Sequence, residues 1–186
     1  MDILVANAGA SWGGPFETFD DWKSAKTLDL NVRGVFNLVR FMVPLLSGAG
    51  TSQDPARVII ISSIAGIAIS HVGDRGAIMY SASKAAVHHL GRNLALELVP
   101  KHITTNIISP GFFPTRLALP QIDYLWGPDK AAGSNPMGRL GEAEDVAGAI
   151  VYLCSRAGAY VNGENTSLDG GGRLRTGTQL DHGGKL

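Results

Sequence analysis

Residues 1–14 read MDILVANAGASWGG, and the residues on either side of the serine in this stretch decide the fold. Residues 2–6 carry a continuous apolar run, Ile3-Leu4-Val5, the pattern of a strand buried on both faces of a parallel sheet. Gly9-Ala10-Ser11-Trp12-Gly13 then matches G-x-S-x-G, a turn that can lift a nucleophilic serine between a strand and a helix. Such a turn needs its helix to start straight after the serine, because the helix N-terminus helps bind the oxyanion. Here Gly13-Gly14-Pro15 intervene and the helical pattern begins only near Asp20. A serine, acid and histidine triad would also need a histidine on a late strand-end loop, and the late histidine, His182, sits in a polar tail. Ser11 therefore reads as a turn residue.

Outward from this stretch the chain alternates. Residues 20–46 place Leu28, Val32, Val35, Phe36, Val39, Met42, Val43 and Leu46 at three- and four-residue steps, one broad buried apolar helix face, with Asp20 or Asp21 available to cap its start. After a polar loop at 48–55, residues 57–62 (RVIIIS) form a second strand buried on both sides. A helix over about 79–99 ends near Pro100, and residues 103–109 (ITTNIIS) form a third strand stopped by Pro110-Gly111. Residues 112–142 read as a long functional loop with one short helix inside it. A helix over about 143–155 and a strand over 165–169 (NTSLD) come next, and residues 173–186 read as a disordered polar tail. Strand and helix in alternation predict an α/β fold with a parallel sheet and right-handed crossovers. Ligands of such sheets lie at the carboxyl ends of the strands, here after Ala6, Ser62, Ser109 and Asp169.

Composition narrows the function. The 186 residues suffice for one domain, and 45% hydrophobic with 17% charged residues is ordinary for a globular protein. Sixteen basic and sixteen acidic residues cancel, with no basic run that would track a phosphate backbone, so no nucleic-acid partner is expected. The single cysteine, Cys154, lies in an apolar stretch and reads as a small buried hydrophobe; no disulfide framework or metal site is expected. No apolar run is long enough to span a membrane and no secretory leader is evident, which predicts a cytoplasmic protein without a membrane partner.

The second strand ends in Ser62-Ser63-Ile64-Ala65-Gly66, and Tyr80-Ser81-Ala82-Ser83-Lys84 opens the next helix. Tyrosine and lysine four apart share one helix face, so the ammonium stands near the phenol and is expected to lower its pKa toward working pH. A serine hydroxyl from the neighbouring strand end can orient a substrate oxygen toward that phenol. The set suits proton transfer to or from a carbonyl or alcohol oxygen. Between them, His71, Asp74 and Arg75 read as solvated loop residues near the site mouth.

These motifs, in this order, resemble the short-chain dehydrogenase/reductases, Rossmann-fold enzymes that transfer hydride between NAD(P)(H) and a carbonyl or alcohol. The resemblance runs from Asp2 to about Gly172 and is nearest the 3-oxoacyl-carrier-protein-reductase type. Ala6-Asn7-Ala8-Gly9 is similar to the family's Asn-Asn-Ala-Gly segment, with Ala6 in place of the first asparagine. Leu30-Asn31-Val32 resembles the helical segment whose asparagine holds a water in the proton relay. The resemblance implies Asn31, Ser63, Tyr80 and Lys84 as catalytic residues, with Tyr80 the acid/base, Ser63 polarising the substrate oxygen, and Lys84 binding the nicotinamide ribose. It implies Asn7, Ala8, Gly9, Tyr80, Lys84, Pro110, Gly111 and Thr115 as cofactor contacts, with NADP(H) slightly favoured over NAD(H), and residues 112–138 as the variable substrate loop.

Against the family pattern, the glycine-rich pyrophosphate turn does not occur, and the chain opens at what would be the fourth strand. The expected fold is a partial, doubly wound Rossmann-type sheet, residues 1–172, lacking the first three strands and that turn, with cofactor affinity weaker by several kcal/mol. The first strand is then expected at a sheet edge. Two readings stand: an NAD(P)-dependent oxidoreductase acting on a small carbonyl or alcohol, or a catalytically inactive fragment that pairs with full-length relatives. In the family, helices corresponding to about 20–46 and 79–99 form a common dimer interface, so both readings imply an oligomer.

Overall fold

Four parallel strands form one sheet in sequence order in the computed structural model, which describes residues 1–69, 72–125 and 127–175. They are β1 (Ile3–Ala6), β2 (Ala56–Ile61), β3 (Ile103–Pro110) and β4 (Asn165–Leu168). Ala6 stands opposite Ile60, Ile61 opposite Ile108 and Pro110 opposite Leu168, so all four carboxyl ends come to one edge. That common edge is where the topology places a ligand.

The central strands are apolar on both faces because helices cover both. Val58 and Ile60 pack with Val39 and Leu46 of α2 (Val35–Ser47) and with Val87 and Leu98 of α3 (Ile78–Leu98). The alternate residues Ile59 and Ile108 turn to the other face and pack on Leu153 of α6 (Ala143–Cys154). The two-residue period of the strands thus serves two helical layers, a doubly wound arrangement. β1 departs from the expectation of two-sided burial: Ala6 is buried toward α2, whereas Ile3 and Val5, on the opposite face, remain 45% and 38% exposed. β1 is the outer strand of the described sheet, and α6 packs over Ile59 and Ile108 instead.

The long first helix is interrupted. α1 (Asp21–Leu28) passes through one wide π-helical turn, Asp29–Gly34, into α2. Asp20 holds the N-cap position with extended backbone but its carboxylate caps no amide; it pairs with Lys23 at 2.6 Å. Residues 112–142 hold two helices rather than one, α4 (Leu119–Leu125) and α5 (Pro128–Ser134). Gly127, at φ 73°, breaks the chain direction and Pro128 starts α5 with a preset φ. α6 opens with a reciprocal capping box between Glu142 and Asp145.

Residues 173–175, expected in a disordered tail, are ordered. Gly172–Leu174 form a tight helical turn, because the Arg173 amide and guanidinium both donate to the buried Asp169 carboxylate, at 2.8 and 2.9 Å. Residues 176–186, with His182, lie outside the described residues. Cys154 packs in the α6 layer and burial raises its thiol pKa, in keeping with a small hydrophobe. Among the described residues no helix is long and apolar enough to cross a membrane, and no cluster of His, Cys, Asp and Glu could hold a metal ion.

Candidate active site

The turn after β2 is pinned to α3. Ser62 donates its hydroxyl to the Lys84 carbonyl at 3.1 Å, and Ser81 donates to the Ala65 carbonyl at 2.5 Å. Gly66 closes the contact: a Cβ there would lie 2.6 Å from the Lys84 carbonyl carbon and 2.7 Å from the Ala85 nitrogen, so only glycine lets the turn lie this close. Ser63, with extended backbone, caps the short 3-10 turn Ile64–Gly66 by accepting the Ala65 amide at 3.1 Å. Its side chain also hydrogen-bonds Tyr80. Strand end and helix start thus bring two hydroxyls together at the sheet edge.

Lys84, one turn along α3 and 4% exposed, donates to the Ile61 carbonyl at 3.0 Å, with its ammonium 5.7 Å from the Tyr80 ring centroid. Burial pushes its pKa down to about 8. Burial also raises the Tyr80 pKa, with the Ser63 hydrogen bond pulling the other way. The expectation that Lys84 lowers the Tyr80 pKa is therefore corrected: loss of water around the phenol outweighs every other influence on it, and the lysine's own charge is disfavoured by the same burial.

Asn31 sits in the π-helical turn, 1% exposed. Its Oδ1 accepts the Ala10 amide at 2.8 Å, and its Nδ2 donates to the Ala10 carbonyl and to Ser83 Oγ, both at 2.9 Å. Ser83 in turn donates to the Tyr80 carbonyl at 2.7 Å. One buried amide therefore ties the loop after β1 to the helix that carries Tyr80 and Lys84. Both amide hydrogens are committed to this tie, which leaves the second lone pair of Oδ1 for a water. Gly9 borders the same space: a Cβ there would lie 3.3 Å from Asn31 Oδ1 and 3.5 Å from Lys84 Nζ.

Around Ser63 and Tyr80 lies a pocket of about 70 Å³ whose walls include Ser11, Ala77, Gly111, Phe112, Leu117 and Gln121. Asn7, Ala8 and Gly9 come directly after β1 at the same edge, and Pro110 ends β3. Thr115 is not brought into this pocket: it is exposed, and its hydroxyl accepts the Ala118 amide at 3.3 Å in the turn that leads to α4.

Compared with known proteins, residues 1–172 match the family described as enoyl-(acyl carrier protein) reductase. The rhamnolipids biosynthesis 3-oxoacyl-[acyl-carrier-protein] reductase of Pseudomonas aeruginosa is 42% identical over 174 residues, covering 94% of this chain and 67% of that protein. The chain belongs to the short-chain dehydrogenase/reductase family. The Pseudomonas aeruginosa RhlG/NADP active-site complex superposes with a TM-score of 0.84 at 42% identity, covering 94% of this chain and 67% of the other. A short-chain type dehydrogenase/reductase from Mycobacterium marinum gives 0.82 at 32% identity, covering 92% of this chain and 65% of the other. A tropinone reductase homolog of Arabidopsis thaliana is 30% identical over 171 residues, covering 92% of this chain and 62% of that protein. Within this dehydrogenase/reductase frame, the pocket also uses residues that the sequence did not single out. Ser11, read as a turn residue, lines the pocket beside Ser63 and Tyr80; its place after the first strand, at the ligand edge, was the available signal. Phe112, Leu117 and Gln121 were covered only as part of a loop. His71 lies outside the described residues, and Asp74 and Arg75 are exposed as expected, with Arg75 also stacking over the Tyr124 ring at 3.7 Å.

Proposed function

We propose that the chain carries the catalytic and nicotinamide-side part of an NAD(P)-dependent oxidoreductase that interconverts a carbonyl and an alcohol, with Tyr80 as acid/base. The observation that supports this best is the Ser63–Tyr80 hydroxyl pair at the carboxyl edge of the sheet, backed by Lys84 and Asn31. In reduction, both hydroxyls donate to one carbonyl oxygen; Ser63 polarises and holds it, and Tyr80 gives up its proton to it as it gains charge. Burial keeps Tyr80 protonated until that step, and the Lys84 ammonium supplies the positive field that a phenolate needs.

The residues fit the nicotinamide–ribose part of a dinucleotide. Lys84 makes one hydrogen bond among the described residues, to Ile61, so its remaining N–H groups suit ribose hydroxyls. Gly9 leaves the space beside it open, and Asn7, Ala8, Pro110 and Gly111 supply backbone around it. When bound, NAD(P)(H) supplies the reducing or oxidising equivalent. NADP(H) is favoured, since the relative with the TM-score of 0.84 was solved with NADP. The pocket walls around the hydroxyls are uncharged and largely apolar, which suits a neutral ketone with an apolar arm, such as a 3-oxoacyl thioester, over an anionic sugar acid. Phe41, Leu45 and Leu96, exposed on α2 and α3, support an oligomer through those helices.

A second reading is supported by Ile3 and Val5 on the outer strand: the chain pairs with a relative and is itself inactive. One experiment separates the two. Titrating the purified chain with NADPH, monitored by nucleotide fluorescence, and then adding a 3-oxoacyl thioester is expected to give submillimolar binding and substrate-dependent NADPH loss. Neither binding nor turnover at millimolar nucleotide would refute the first reading and favour the second.

A further inference from the structure

The wall facing Ser63 and Tyr80 comes from three segments without a strand of their own: residues 9–14, residues 72–77, and α4 with the turn before it. Arg75 joins all three. On its backbone side, Gly13 packs so close that a Cβ there would come 2.5 Å from the Arg75 carbonyl oxygen, and the Gly14 amide donates to the Gly76 carbonyl at 3.2 Å. On its side-chain side, the guanidinium carbon stands 3.7 Å from the centroid of Tyr124 on α4, a face-on cation–π stack. The neighbours of these contacts, Ser11, Ala77 and Gln121, line the pocket itself. α4 is a seven-residue helix, and among its described side chains Ile122 is the fully buried one while Tyr124 is half exposed.

We propose that Arg75 is a positioning residue of the substrate pocket, holding α4 over the Ser63–Tyr80 pair through Tyr124 and so limiting how wide a carbonyl substrate is admitted. This rests on the reading of that pocket as the substrate site. An exposed cation–π stack shifts an opening equilibrium about two- to five-fold. Hydrogen–deuterium exchange of the full chain tests it. Arg75→Ala and Tyr124→Leu are each expected to raise exchange of the 119–125 amides about two- to five-fold. The double variant adds nothing further, Tyr124→Phe keeps the ring and the wild-type rates, and β2 and β3 are unchanged. Unchanged exchange in Arg75→Ala would overturn the proposal, as would a rise of the same size in β2 and β3, which would mean general destabilisation. In the turnover assay Arg75→Ala raises KM and admits bulkier ketones with little change in kcat; a fall in kcat at constant KM counts against it. Exchange is read without turnover, so an inactive chain with the expected exchange pattern refutes the functional reading and upholds the Arg75–Tyr124 contact.

Discussion

The two walls of the pocket are built differently. On one side Asn31, Ser63, Tyr80 and Lys84 come from a π-helical turn, a strand end and a long helix, and Asn31 and Lys84 are 1% and 4% exposed. Each is tied to backbone or to another buried side chain. On the other side Leu117 and Tyr124 are 46% and 51% exposed, and the ties that join its segments include a close glycine contact and a ring stack at the surface. In the proposed reaction the groups that would move a proton need fixed geometry, and the core supplies it; a surface that would meet the variable part of a substrate tolerates change because it is exposed.

Kinetics offers the sharpest way to break this comparison. Tyr80→Phe is expected to lower kcat by about 10²–10⁴ with every carbonyl tested, the range for losing a positioned acid. Leu117→Ala is expected to leave kcat within a few-fold and to shift KM by about ten-fold or less, in a direction that depends on substrate width, the range for an apolar contact change in a pocket. Steady-state assays with a short and a long 3-oxoacyl thioester check both. If Leu117→Ala lowered kcat as strongly as Tyr80→Phe, the walls would not be functionally distinct.

Stability separates them next. Asn31→Leu would leave the part-buried Ala10 amide and carbonyl without this partner, at about 1–3 kcal/mol each. The expected loss is about 2–4 kcal/mol, read as a lower urea midpoint at unchanged slope. An exposed wall residue such as Leu117 should cost well under half as much. A silent Asn31→Leu would mean that the wall's rigidity comes from packing alone.

The same division governs what the sequence revealed. The strands and long helices were legible because continuous apolar runs and period-3.6 apolar patterns are local signals; Tyr80 and Lys84 were legible because four-residue spacing fixes a shared helix face, and Ser63 because it follows a strand at the ligand edge. The π-helical turn at Asn31 was hidden because a single wide turn of six residues is too short for periodicity to register it. The two helices inside 112–142 were merged into one because each is a seven-residue element, below the length at which periodicity speaks. The ring contact of the exposed Arg75 was hidden because its partner, Tyr124, is 49 residues away in the chain and no local rule connects them. The sign of the Tyr80 shift was missed for a related reason, since burial is a property of the folded wall and not of the Tyr–Lys spacing.

Lys84 gives the smallest of these effects and the most direct measure of what the buried wall costs. Its pKa falls from 10.5 to about 8 on burial, a difference equivalent to about 3 kcal/mol against the charged form. Lys84→Met removes that penalty and also removes the hydrogen bond to the Ile61 carbonyl, which offsets about 1 kcal/mol. The variant is therefore expected to be inactive and about 1–2 kcal/mol more stable than the wild type at pH 7. Because the native pKa lies below the unfolded one, the unfolded chain binds more protons between pH 8 and 10.5, so the wild type recovers stability as pH rises through that window. The advantage of Lys84→Met should hold below pH 8 and fade toward pH 10.5. Urea unfolding at pH 7, 9 and 10 reads it. A variant less stable than wild type at pH 7 would show that the ammonium is held by favourable interactions and that the chemistry of this wall comes without strain; the expected gain would show that a buried cation is kept beside Tyr80 at the expense of the fold.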